Sequence, residues 1–122
     1  MDRDGLKALG DRVVAANNDG TYKSLSDVYD PHCVSVEAAP MPGASAETKG
    51  FEAIAGKWAW WEDNHTLHSA KATGPFLHGD DRFGVIFEMD VTARESGERM
   101  QMQELAVYTV KDGRIVREEF FY

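Results

Sequence analysis

Between residues 100 and 110 the side chains alternate, and one row holds Met100, Met102, Glu104, Ala106, Tyr108 and Val110. A carboxylate inside a row that is otherwise largely apolar must be hydrogen-bonded, ion-paired or protonated, because a bare buried charge is too costly. Two readings follow for Glu104. It is a general acid/base whose pKa is raised toward neutrality, or a structural carboxylate paired with an Arg or a Tyr hydroxyl. The histidines offer less. His65 and His68 are three apart across a helix–strand junction, which does not hold two ligands on one face. His78 stands apart and no carboxylate lies at a motif distance, so no metal site is expected. His32 reads as a surface turn residue. There is no GxGxxG, P-loop or GxSxG element, and Cys33 lies in no catalytic motif and reads as a small buried hydrophobe.

The elements that position Glu104 form a meander. The run from Phe83 to Tyr122 holds three β-rich segments joined by Ser96-Gly97 and Lys111-Asp112-Gly113. In the first segment Phe83, Val85, Phe87, Met89, Val91 and Ala93 share one face, as strand periodicity requires. Upstream, Leu6, Leu9, Val13, Val14 and Ala16 recur at helical spacing, with Asp2 or Asp4 as the cap and Asp19-Gly20 as the stop. A second short helix carries Tyr22, Leu25, Val28 and Tyr29 and ends at Asp30-Pro31. Cys33 to Ala38 is a short strand with Val34, Val36 and Ala38 on one face. Ala38 to Gly50, with two prolines and two glycines, reads as a loop, and its stretch from Ala39 to Lys49 is a candidate mobile lid or rim. Phe51 to His65 is helical again, with Phe51, Ile54, Ala55, Trp58, Trp61 and Glu62 along one stripe, and Thr66 to Phe76 is a strand. Helix, helix, strand, helix and four strands make an α+β domain whose later strands pair antiparallel.

At 122 residues the chain is one domain, 1–122, with a single core. A formal net charge of −8 argues against nucleic acid as a partner. No apolar run approaches a membrane span and the start lacks an apolar signal region, so a cytoplasmic location is expected. One cysteine excludes an internal disulfide.

The element order, together with VAANNDG, YDPHCVSVEA, KGFEAIAGKW and VYTVKDGRIVREEFFY, resembles the nuclear transport factor 2-like superfamily, and its SnoaL-like branch in particular. The resemblance implies a cone: three N-terminal helices packed in a strongly curved, mostly antiparallel sheet around a pocket. Members of the superfamily include isomerases, cyclases, epoxide hydrolases, dehydratases and binding proteins, so the fold alone does not name a reaction. The catalytic positions of the ketosteroid isomerases fall on Ala38, Ala106 and near Val13, all apolar, and that activity is not expected.

Carrying Ala106 over as inward-facing turns Met102, Glu104 and Tyr108 inward with it. The same transfer places Trp58 at the pocket, the Phe83–Val91 row on the concave face, and Glu118, Phe120 and Tyr122 inward. The expected acid/base groups are therefore Glu104, Glu118 and His68, the last as a proton carrier at the rim. The expected wall is Trp58, Trp61, Phe87, Met89, Met102, Tyr108, Phe120 and Tyr122. Trp58 and Trp61 equally fit a core pair sealing helix to sheet, and an REE run such as that around Glu118 is more often a solvated face. The expected ligand is a small, largely apolar organic molecule, with no cofactor and no membrane or nucleic-acid partner. Leu105, Val107 and Ile86 form an apolar island on the outer sheet face, which implies a homodimer. Three functions remain open: a cofactor-free proton-transfer enzyme for isomerisation, cyclisation or hydration, a non-catalytic ligand-binding module, and a protein-interaction module.

Overall fold

The computed structural model describes residues 1–40 and 42–122; Met41, within the expected 39–49 loop, lies outside them. Helix α1 (Arg3–Asp19) begins where the Asp2 carboxylate accepts the Gly5 N–H at 2.8 Å and stops at Gly20, whose φ of 74° an L-residue with a side chain resists. A 3-10 turn (Tyr22–Asp27) leads into β1 (Tyr29–Val36), and a three-residue strand β2 (Glu47–Lys49) precedes helix α2 (Phe51–Asn64). Strands β3 (His65–His78), β4 (Arg82–Ala93), β5 (Arg99–Lys111) and β6 (Arg114–Phe121) complete the chain.

The six strands form one sheet in the order β2-β1-β6-β5-β4-β3. The four strands after α2 pair antiparallel, as the meander requires, and β1 lies parallel to β6. The fold is α+β. Two expectations need correction. Tyr29 does not end a second helix but opens β1, paired with Ile115 of β6, because the Ile115 N–H donates to the Val28 carbonyl at 2.8 Å and draws the chain into the sheet. The stretch from Ala38 to Gly50 is not loop throughout: β2 pairs antiparallel with β1, and the Glu37 N–H donates to the Ala46 carbonyl.

The core lies between the sheet and α1. Leu6, Leu9, Val13 and Ala16 recur at helical spacing and are buried against Phe83, Val85, Ala72 and Ala106. Gly10 allows the close approach: a Cβ there would lie 2.6 Å from the Pro75 Cβ. On edge strand β3 the backbone of Ala72 is covered by the Asn18 side chain, which accepts its N–H at 2.8 Å and donates to its carbonyl at 3.0 Å. Helix α2 is seated chiefly on β1, β2 and β3.

Candidate functional site

The register turns the alternating rows into a surface. Phe83 faces Tyr108, Val85 faces Ala106, Phe87 faces Glu104 and Met89 faces Met102. Phe83, Val85, Ala106 and Tyr108 are buried, and so is Val91 further along β4. Between them Phe87, Met89, Met102 and Glu104 are only half-buried. This square is the open part of the concave face, three apolar side chains and one carboxyl.

Strand β6 adds the second carboxyl. Tyr108 pairs with Glu118 and Ala106 with Phe120, and the register shift between Thr109 and Val110 precedes these pairs, so Glu118 points inward. Glu118 is 1% exposed. Its Oε2 accepts the Tyr29 hydroxyl at 3.0 Å, and its Oε1 has no partner among the described residues. Burial raises its pKa, opposed by the Tyr29 hydrogen bond, the Lys57 charge and the nearby Ser35 hydroxyl. Burial and then the Glu118 charge hold the Tyr29 and Tyr108 phenols well above their ordinary range.

Strand β1 adds a third carboxyl that the sequence did not disclose. Ser35 pairs with Glu118 in the parallel register, so Cys33 and Ser35 face inward and are fully buried, with Glu37 next in that row. The face of Val34, Val36 and Ala38 is therefore the outer one, and Ala38 is exposed beyond the end of the strand. From α2, Lys57 Nζ donates to Ser35 Oγ and to Glu37 Oε1, both at 2.9 Å. It also lies 5.7 Å from the centre of the Phe120 ring. The Tyr122 hydroxyl donates to Glu37 Oε2 at 3.0 Å and accepts the Ala39 N–H at 3.3 Å. Burial pushes the Cys33 thiol up to about 12, which leaves it protonated and inert at neutral pH.

Glu104 differs from both neighbouring carboxyls. No protein group hydrogen-bonds it among the described residues, and it joins no ion pair. Burial, then the charges of Glu37 and Glu118, lift its pKa from 4.5 to about 7, against a smaller opposing effect of Lys57. A carboxylate ion-paired with an Arg would be pushed the other way. The arrangement can take up or release a proton near neutrality beside an apolar surface.

Of the expected wall, Phe87, Met89 and Met102 form the open square, and Phe120 lies half-buried beside Lys57. Tyr108 is in the floor, 3% exposed and stacked on Phe83. Trp61 stacks on His65 with ring centres 4.4 Å apart. Trp58 is edge-on to Tyr22 and Phe51 and packs against Tyr29, which makes it part of an aromatic cluster joining α2 to β1. Tyr122 is exposed and meets the site through its hydroxyl. His68 is not brought to the carboxyls: it is exposed, at a register shift in β3, with Nε2 2.7 Å from the Thr92 hydroxyl on the outer side of β4. Two open clefts of about 470 and 500 Å³ lie elsewhere, around Pro31 and the first turn of α2, and none of the three carboxyls lines them.

A curved, mostly antiparallel six-stranded sheet with its helices packed on one side is the nuclear transport factor 2-like architecture. Within that class the chain belongs to the SnoaL-like domain family, which matches residues 6–122. The chain is similar to a candidate SnoaL-like polyketide cyclase from Mesorhizobium loti, at 33% identity over 96% of this chain and 98% of that one, with a TM-score of 0.88. A candidate isomerase from Bacillus subtilis shares the fold at 20% identity and a TM-score of 0.76, covering 98% of this chain and 88% of its own. A candidate polyketide cyclase from Xanthomonas campestris does so at 16% identity and 0.74, covering 100% and 93%. No curated protein matches the chain.

Proposed function

We propose that this SnoaL-like chain catalyses proton transfer on a small, largely apolar organic molecule held against Phe87, Met89 and Met102, with Glu104 as the acid/base. The observation that carries the reading is the Glu104 carboxyl itself. It is half-open on an apolar surface, without a protein donor among the described residues, and burial with the nearby carboxylates pushes its pKa up to about 7. In the ionised form it takes a proton from carbon; in the neutral form it returns that proton to another atom of the same substrate, so the enzyme is unchanged at the end of the cycle. Isomerisation and ring closure both proceed through such steps, and the names of the similar proteins from M. loti and B. subtilis are consistent with them. Glu118 lies beneath the surface and acts on Glu104 through its charge.

The test follows α-proton exchange of 2-tetralone and related aromatic ketones in D2O by NMR. Acceleration by the protein, with the rate rising through about pH 7 as the base ionises, is expected. Glu104→Gln should lower it by about 100-fold or more. Binding of these ketones without any exchange would replace the enzyme reading with that of a binding module.

The assembly reading belongs with this function. Ile86 faces Leu105 and Leu105 faces Phe121, while Phe76 and Val107 flank Gly84 on the outer sheet face. Phe76, Leu105 and Phe121 are exposed. A homodimer covering this strip would remove an apolar patch from water. Light scattering should report a dimer at micromolar concentration and a monomer for Val107→Glu.

A further inference from the structure

Lys57 is a charged residue in the apolar stripe of α2, between Ile54 and Trp61, on the side that faces the sheet. Its ammonium is held in place by contacts from one strand. Ser35 Oγ, fully buried, and Glu37 Oε1 each accept a hydrogen bond at 2.9 Å, and Tyr122 holds Glu37 from the other side. An ammonium has three N–H donors, and these two bonds leave one. The row beneath runs Ala106–Phe120 toward β1, and the Nζ stands 5.7 Å from the Phe120 ring centre. Glu104 lies one row further along β5, on the same face, and the Lys57 charge reaches it. An ion pair with Glu37 alone would be met as well at the surface, without the cost of burying a lysine stem and a serine hydroxyl beneath it. What the half-buried position on two acceptors adds is a fixed donor beside the acid/base.

Resting on the proton-transfer reading, we propose that Lys57 is a second catalytic group, whose remaining N–H meets the substrate oxygen that becomes negative as Glu104 removes a proton from the neighbouring carbon. The C–H bond breaks, its proton passes to the Glu104 carboxylate, and its electron pair moves to the carbonyl oxygen as an enolate. The Lys57 ammonium donates a hydrogen bond to that oxygen without giving up its proton. Return of the proton to carbon from Glu104 restores both groups. Donors fixed in advance at a developing oxyanion are a large source of rate acceleration. The Ser35 and Glu37 acceptors supply that fixation, so both are positioning residues.

The test separates oxyanion recognition from turnover. 2-Naphthol and the more acidic 6-cyano-2-naphthol have nearly the same shape, and each is fluorescent in neutral and ionised forms. The wild-type protein should bind the cyano compound more tightly, and as the naphtholate at a pH below its value in water. Lys57→Gln strands Glu37, so the informative variant is Lys57→Gln/Glu37→Gln, which removes both charges of the pair. It should bind the two naphthols alike and lose about 100-fold in 2-tetralone exchange. Lys57→Arg should recover part of the preference, and Glu104→Gln should keep it while losing exchange. A double variant that folds, exchanges at the wild-type rate and still prefers the naphtholate would overturn the role of Lys57. A wild-type protein that prefers the naphtholate yet exchanges no ketone would sink the proton-transfer reading and leave Lys57 as an oxyanion-binding group. If the wild type exchanges ketone but shows no naphtholate preference, the role of Lys57 fails and that of Glu104 stands.

Discussion

The concave face of this sheet carries two environments on the same pair of strands. Beneath α1, the Phe83–Tyr108 and Val85–Ala106 pairs are sealed by Leu6, Leu9 and Val13. Two to six residues along, Phe87–Glu104 and Met89–Met102 stay half-open, with Lys57 of α2 reaching to Ser35 of the sheet. Strand alternation is the same in both. The covering helix differs. Helix α1 offers an unbroken apolar stripe and a glycine at the closest contact, whereas α2 has a lysine in its stripe and is seated mainly on the flanking strands. Stability and the proposed chemistry would thereby be separated along one hairpin, and substitutions in one half should leave the other nearly untouched.

Phe83→Ala tests the sealed half most severely. The side chain is fully buried under α1, and its loss should cost about 3–5 kcal/mol in urea unfolding. Ketone exchange per folded molecule should stay near wild type. A proportionate loss of exchange would mean that the halves are coupled. Gly10→Ala comes next. Helix propensity alone would favour it by about 1 kcal/mol, but the 2.6 Å approach to Pro75 should make the net change destabilising, by about 1–3 kcal/mol. A stabilised variant would show that α1 can lift off the sheet freely.

Glu104→Gln probes the open half with the opposite sign. The folded protein binds the Glu104 proton more tightly than the unfolded chain does, at about 7 against 4.5. Its favourable contribution is complete below 4.5 and is lost as the pH rises through about 7. The variant should match wild type in acid and exceed it by about 1–2 kcal/mol near pH 8, after allowance for solvent screening of a half-open group. Urea unfolding across that range measures the difference, and a destabilised variant at pH 8 would make Glu104 structural. Tyr122→Phe is the mildest change. It removes an exposed hydrogen bond to Glu37 and should cost less than about 1 kcal/mol. Amide exchange at Ala39 should nevertheless quicken, since its N–H loses its acceptor.

How much of this the sequence disclosed depended on whether a residue broke a local pattern. Glu104 interrupts an apolar row, and its anomaly is visible without any partner strand. The meander was legible because its turns are short and its alternation long. Glu118 became placeable only by carrying a strand parity across from related folds, and a register shift earlier in β6 could have reversed it. Glu37 stayed hidden because the facing of β1 is set by parallel pairing with β6, a contact between residues more than 80 apart. Lys57 had a signal that passed unread: it occupies the position three residues after Ile54 and four before Trp61, inside the apolar stripe. Trp58 fitted wall and core equally on spacing alone. Besides Phe51 of its own helix, its aromatic neighbours Tyr22 and Tyr29 come from two other stretches and gather only in the fold.

Strand β6 is synthesised after β1 to β5, yet in space it lies between β5 and β1. While a ribosome is still making it, the β1–β2 hairpin has no strand to join, and Ser35 and Glu37 cannot be set beside Glu104. The Tyr29–Glu118 hydrogen bond closes 89 residues of chain in one step. A nascent chain stopped before residue 114 would possess the lysine, two of the three carboxyls and most of the apolar surface, but only α2 would join the β1–β2 hairpin to the other strands. Such long-range closure is slow relative to hairpin and helix formation. Bringing Ser35, Glu37 and Glu118 beside Glu104 therefore waits on the docking of β6 between β5 and β1.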